Sequence, residues 1–226
     1  MKRGIIATIG PSSLSSHAIK EMTHEGLDIG RINTKYGNKK QWQSIIENLR
    51  KNSRKVLIDI KGLKNTDWVK TQDFDFLAIS FAETKEQIRL IRKLFKRKIK
   101  IISKIENKKG INNIDELIKE SEGIMIARGD LGRNMPFEKL PYFQKMIIKK
   151  CNKKHKLVIT ATEMLLSMTK SKMPERAEIT DVANAVLDGS DFLMLSEETA
   201  IGKYPILCVQ TMKKIILETL KDKKLM

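Results

Sequence analysis

Short apolar, β-branched runs alternate with segments of helical period along almost the whole chain. The runs predict strands near residues 4–9, 27–33, 55–60, 75–81, 99–105, 123–127, 157–161 and 191–195. Between and after them, apolar residues recur at three- and four-residue spacing. That spacing predicts helices near 14–25, 39–52, 84–96, 111–121, 138–154, 176–188 and 203–222. The strands are apolar on both faces, as strands covered on both sides must be. Eight of them alternating with helices predict one α/β domain over residues 1–226, a parallel (β/α)8 or TIM barrel. The alternative is an open doubly wound sheet. It needs a glycine-rich phosphate turn after the first strand, and Thr8-Ile9-Gly10-Pro11-Ser12 is not GxGxxG. One connection is short: residues 61–74, between the third and fourth strands, leave room only for a turn of helix around 67–72.

Charge changes the picture little. The 226 residues carry 44 basic against 27 acidic groups, a net charge of +17, which raises the weight of anionic partners. The lysines are spread over helical segments 93–100, 149–156 and 213–224, as solvated faces would be. Aromatic residues make up only 5%, so the interleaved platform of a single-strand binder is missing and nucleic acid is disfavoured. Cys151 and Cys208 are too few for a disulfide framework, which predicts reduced thiols and a cytoplasmic protein. The first apolar stretch is too short for a signal peptide and stops at Gly10-Pro11-Ser12. No apolar run reaches the roughly 18 residues that would predict a membrane span.

Chemistry in such a barrel sits at the C-terminal ends of the strands. Polar residues collect there: Thr8, Ser12 and Ser13; Arg31 and Asn33; Asp59 and Lys61; Ser80; Lys104 and Glu106; Arg128 and Asp130; Thr160, Thr162 and Glu163; Ser196, Glu197, Glu198 and Thr199. Ser12, Ser80 and Thr199 read best as helix caps or rim contacts. Lys104 and Glu106 read otherwise, because burying an ion pair is costly and structure alone seldom demands it. Asp130 stands in a Gly-Asp-Leu-Gly turn whose glycines let backbone N–H groups approach an anion. Glu106 and Asp130, 24 residues apart, offer two carboxylates to a hard divalent cation such as Mg²⁺. A lysine beside such a metal suits a phosphate-like or enolate-like substrate. His17, His24 and His155 lie in polar helical surroundings and read as solvated.

Several segments resemble the pyruvate kinase family in order. They include Ile6-Ala7-Thr8-Ile9-Gly10-Pro11-Ser12-Ser13, residues 26–37, Lys104-Ile105-Glu106-Asn107, Ala127-Arg128-Gly129-Asp130-Leu131-Gly132 and Asp181-Val182-Ala183-Asn184-Ala185-Val186-Leu187-Asp188-Gly189. The resemblance implies that Lys104 stabilises the transferring phosphoryl group and the enolate. It makes Glu106 and Asp130 holders of Mg²⁺ or Mn²⁺. Gly129, Asp130 and Thr162 would receive the substrate carboxylate, with Thr162 near the path of proton delivery. Arg31 would bind phosphate, and Thr8, Pro11, Arg31 and Tyr36 would border the nucleotide. Asn33 and Asp59 would belong to a monovalent-cation site. The implied partners are phosphoenolpyruvate or pyruvate and ADP or ATP.

The departures from the family pattern carry expectations of their own. The lid domain that the family inserts after the third strand is replaced by residues 63–74, and the C-terminal regulatory domain is missing. The family's Gly-Pro-Glu-Ile-Arg reads Gly62-Leu63-Lys64-Asn65-Thr66, so its arginine has no counterpart. Lys64 stands where potassium-independent members carry lysine, which implies an ammonium in place of K⁺. Lys35 replaces a serine and Ile60 a threonine at the same cation site. Tyr36 replaces a histidine, and Glu163 and Glu197 replace glutamine and glycine at the substrate rim. The leading expectation is a minimal pyruvate kinase. The alternatives are nucleotide-independent enolisation or decarboxylation of pyruvate or oxaloacetate, and a basic binding protein on a retired scaffold. Oligomeric state stays open.

Overall fold

A computed structural model describes residues 3–222. The chain runs β1 (Gly4–Thr8), α1 (Ser16–Glu25), β2 (Ile29–Asn33), α2 (Lys39–Lys51), β3 (Lys55–Lys61), α3 (Thr66–Lys70), β4 (Phe76–Ser80) and α4 (Lys85–Lys93). It continues with β5 (Ile101–Ile105), α5 (Lys108–Asn112), α6 (Ile114–Glu120), β6 (Gly123–Ala127), α7 (Arg128–Arg133) and α8 (Leu140–Lys153). It finishes with β7 (Leu157–Ala161), α9 (Arg176–Asp188), β8 (Phe192–Leu195), α10 (Glu197–Ala200) and α11 (Pro205–Asp222). All eight strands pair in parallel, and β8 closes on β1, so the (β/α)8 barrel is complete.

Local signals set the helix boundaries. Ser15 caps α1 by accepting from the Ala18 N–H, and Gly26 ends that helix at φ +116°. Asn38 and Gln41 form a capping box on α2. Two expectations need correction. The helix expected over 111–121 is two helices, because Asn107 caps a short α5 and the chain bends at Asn113 before α6. The Gly-Asp-Leu-Gly turn expected around Asp130 is the body of α7, which starts directly from β6.

Two apolar layers result. Ile6, Ile29, Leu57, Phe76, Ala78, Ile102, Met125, Ile159, Ala161 and Met194 fill the barrel interior. A larger layer, including Ile5, Ile32, Ile58, Leu77, Ile101, Ile126 and Leu193, lies between strands and helices. Each such side chain contributes roughly 1.5–3 kcal/mol when fully buried. By the strand's two-residue period, the position two beyond an interior residue faces inward again. After Ile6, Ile29, Leu57, Ala78 and Ile102 that position holds Thr8, Arg31, Asp59, Ser80 and Lys104. The apolar plug is therefore topped by a polar belt.

The opposite mouth is built by repetition. Asp28, Asp75, Glu122 and Asp191 precede the four even-numbered strands. Each accepts the N–H of Ile5, Val56, Ile101 or Val158 on the preceding odd strand, at 2.7–2.9 Å. Each acid's own N–H returns a bond to the carbonyl of that same residue, at 2.9–3.0 Å. Arg3 pairs with Asp191, Arg50 with Asp75 and Arg92 with Glu122.

Candidate active site

The belt residues form one bonded chain across five consecutive strands. Thr8 on β1 donates to the Leu195 carbonyl at 3.0 Å and accepts from Arg31 Nη1 at 2.8 Å. Arg31 Nε and Nη2 both reach Asp59 Oδ2, at 3.0 and 2.8 Å. Asp59 in turn faces Lys104 Nζ at 3.1 Å, and Lys104 reaches Glu106 Oε1 at 3.0 Å. Ser80 accepts from Lys104 at 3.0 Å and donates to Asp59 at 3.3 Å. The rim-contact reading of Ser80 is thus corrected: its inward register puts the hydroxyl in the polar belt. Thr199 does act structurally, tying α10 to the Thr8 carbonyl at 2.9 Å.

Arg31, Asp59, Lys104 and Glu106 are all nearly water-free, at 7, 2, 7 and 2% exposure. Two cations and two carboxylates balance there, as buried charges must. Burial pushes the Asp59 carboxyl up, but the Lys104 ammonium and Arg31 guanidinium outweigh it and hold that group below its ordinary value. At Glu106 burial wins: the carboxyl lies above its ordinary value, and Lys104 offsets only part of the rise. The Phe81 N–H holds Glu106 Oε2, with Phe81 at φ +50°.

Above the belt opens a cavity of about 860 Å³. Its lining brings together Lys104, Glu106, Gly129, Asp130, Thr162, Arg31, Asn33, Thr8, Pro11, Lys35 and Tyr36. Glu163 and Glu197 line it too. Asp59 lies beneath this surface. Lys64 is exposed in the β3–β4 connection and does not line the cavity; Lys61 does. Lys35 is exposed, with its Nζ over the Tyr36 ring at 5.3 Å. Asn33 Oδ1 accepts the Lys35 N–H at 3.1 Å. The three histidines are exposed and lie off the cavity.

Gly129 and Asp130 stand in the first turn of α7, where backbone N–H groups have no acceptor within the helix. A Cβ on Gly129 would come within 2.7 Å of the Thr162 methyl group, so only glycine permits this approach. Thr162 and Glu163 have φ of +79° and +55°. A β-branched residue there is strained, and strain of this kind gathers at functional sites. Two buried groups hold the strained turn. Arg128 donates to the carbonyls of both Thr162 and Glu163 while pairing with Asp181 on α9 at 2.6 Å. Glu198, fully buried, accepts from the N–H groups of Met164, Leu165 and Ser196. Neither supporting role was read from the sequence. The doubled Glu197-Glu198 gives no sign which of the two turns inward.

Glu106 and Asp130 are the residues that could hold a magnesium-like ion, being carboxylates on the cavity wall, and Mg²⁺ uses one or two protein carboxylates plus water or substrate oxygens. Glu106 already meets Lys104 through Oε1 and the Phe81 N–H through Oε2. Asp130 is half-exposed, with Arg133 Nη1 at 3.6 Å from its Oδ1. Among the described residues no group of three or more His, Cys, Asp or Glu side chains is arranged to hold a metal alone.

The family model for the barrel domain of pyruvate kinase matches residues 1–67 and 58–209, two stretches that overlap from within β3 to the start of α3. A pyruvate kinase of Dictyostelium discoideum is 46% identical over 222 residues, 95% of this chain and 42% of its own length. One of Methanocaldococcus jannaschii is 45% identical over 162 residues, covering 70% of this chain and 36% of its own. A pyruvate kinase of Solanum tuberosum named as the cytosolic isozyme is 45% identical over 172 residues, covering 72 and 34%. The chain thus spans between 34 and 42% of the length of these relatives. With its barrel, its polar belt and these matches in agreement, the chain belongs to the pyruvate kinase family.

Proposed function

We propose that this barrel performs the phosphoryl chemistry of its family: Mg²⁺-dependent transfer from phosphoenolpyruvate to ADP, giving pyruvate and ATP. The observation that carries the reading is Lys104. Its buried ammonium is fixed 3.0 Å from Glu106, on the same cavity surface as Asp130 and Thr162. Phosphoryl transfer needs positioning and charge stabilisation, which this arrangement supplies. Lys104 stabilises the phosphoryl group and then the enolate oxygen. Gly129 and Asp130 N–H groups with Thr162 receive the carboxylate, and the Thr162 hydroxyl lies beside the carbon that takes up a proton. Glu106 and Asp130 hold the divalent ion, which supplies Lewis-acid neutralisation when bound. Thr8, Pro11, Arg31 and Tyr36 border the nucleotide in this reading.

The monovalent-cation role falls to Asn33 with a lysine ammonium. Lys35 on the cavity is better placed for it than Lys64 in the exposed connection. A cytoplasmic location belongs to the same reading, supported by the two unpaired thiols and by the cytosolic relative.

A coupled assay with phosphoenolpyruvate, ADP and Mg²⁺, with and without K⁺, tests this. Pyruvate and ATP in equal amounts, lost in Lys104→Met, are the expected result. Absence of turnover in the unmodified chain would overturn it. One observation favours a second reading. The β3–β4 connection holds only the five-residue α3, so no inserted domain covers the cavity from that side. Nucleotide-independent enolisation or decarboxylation of pyruvate or oxaloacetate needs Lys104, the metal site of Glu106 and Asp130, and Thr162, but no such cover. Pyruvate formed from oxaloacetate without ADP would support it.

A further inference from the structure

The four charged groups of the belt beneath the cavity balance one another. Arg31 and Lys104 face Asp59 and Glu106, two against two. Lys104 has three ammonium hydrogens, and three acceptor groups surround it: Asp59, Glu106 and Ser80. Three of the five guanidinium hydrogens of Arg31 are likewise taken by Asp59 and Thr8. A ligand with both a phosphate and a carboxylate brings net negative charge to this neutral floor. In the reading above Lys104 and the divalent ion meet part of it, and a further cation on the wall would add to that. Among the described residues, the remaining cations on the cavity wall are Lys35, Lys61 and Arg133. Lys35 and Lys61 lie over aromatic rings, Tyr36 and Phe81, at 5.3 and 5.7 Å. Arg133 stands apart. It is 78% exposed, and its Nη1 sits at a long 3.6 Å from Asp130, one helical turn back on α7. An exposed pair of this kind is worth little and is readily given up. The same short helix carries Gly129 and Asp130 on the cavity.

We propose that Arg133 is the phosphate-contacting arginine of this site, swinging from Asp130 to the phosphoryl group of the bound substrate. The planar fork of a guanidinium matches phosphate oxygens in a way an ammonium does not. The proposal rests on the phosphoenolpyruvate reading above and adds the residue that the 62–66 segment does not supply.

Calorimetric titration of the full chain with phosphoenolpyruvate, and separately with pyruvate, in constant Mg²⁺ tests it. Arg133→Met is expected to weaken phosphoenolpyruvate binding on the order of tenfold to a hundredfold, the worth of a charged hydrogen bond. Pyruvate binding should change by less than about twofold. Arg133→Lys should recover part of the loss. Equal weakening for both ligands would mean that Arg133 acts through Asp130, and would overturn the proposal, as would no change for either. A wild-type chain that binds neither ligand refutes both this proposal and the functional reading. One that binds phosphoenolpyruvate selectively through Arg133 but shows no turnover refutes the functional reading alone.

Discussion

Arg128 donates twice to the carbonyl oxygen of Thr162, through Nε at 3.1 Å and Nη2 at 2.7 Å. Thr162 is a β-branched residue at φ +79°, a conformation costing on the order of 1–3 kcal/mol. The guanidinium therefore keeps a cavity-lining threonine where the chain alone would not leave it. Arg128→Met removes the clamp and strands Asp181 and the carbonyls of Thr162 and Glu163. A loss of about 3–5 kcal/mol is expected, read as a melting-temperature drop on the order of 10 °C. Arg128→Lys keeps the charge without the fork, so an intermediate drop is expected. Differential scanning calorimetry of the three proteins checks the order.

Gly129 makes a second demand on Thr162. A Cβ there would press on the threonine methyl at 2.7 Å. Gly129→Ala should fold, because the contact under 3 Å is with a single side-chain methyl group rather than with backbone, yet displace Thr162. Misplacement of about 1 Å at a reacting centre costs on the order of a hundredfold in rate. Adding Thr162→Ser removes the methyl group and should restore part of it. Steady-state phosphoenolpyruvate turnover for the single and double variants would show this; equal rates for both would contradict the steric account.

The two carboxylates beside Lys104 differ in sign with pH. Asp59 is held below 3.8 in the folded protein, so its stabilising contribution is complete above pH 3.8. That contribution is lost as pH falls through its lower folded value. Glu106 is raised above 4.5, so its contribution is complete below pH 4.5 and is lost as pH rises through the folded value. At neutral pH Asp59→Asn should therefore cost much more than Glu106→Gln. Removing Asp59 leaves two buried cations sharing one carboxylate, a change worth about 3–5 kcal/mol. Urea unfolding at pH 7 gives the comparison, and repeating it below pH 4 should narrow the gap.

Cys151 and Cys208 are fully buried, and burial pushes both thiols up to about 12. Thiolate is the reactive form. Ellman's reagent should find no fast-reacting thiol in the native chain and two in denaturant. A native thiol reacting within seconds would show that α8 or α11 opens.

Strands and helices were legible because the apolar runs and helical periods are unbroken, and α9 falls on residues 176–188 as expected. The residues that converge were legible as strand ends, since a closed parallel barrel gathers those ends on one face. What escaped depends on side-chain reach. Ser80 was misread although its place two residues beyond Ala78 already turned it inward. The hold of Arg128 on a loop 34 residues later has no local signature. The six-residue α7 was hidden by its glycines, which weaken helices in isolation, while packing against Thr162 makes Gly129 necessary here.

The acids at the far mouth imply a seam pattern. Each two-point latch joins an odd strand to the even strand after it, β1 to β2, β3 to β4, β5 to β6 and β7 to β8. None of these latches bridges β2 to β3, β4 to β5 or β6 to β7. The barrel is thus a ring of four hasped staves. New termini opened between staves leave every hasp closed, while termini opened within a stave part the two strands it joins. Circular permutants should tolerate the first kind of break and resist the second, so the molecule carries a fourfold grain beneath its eightfold outline.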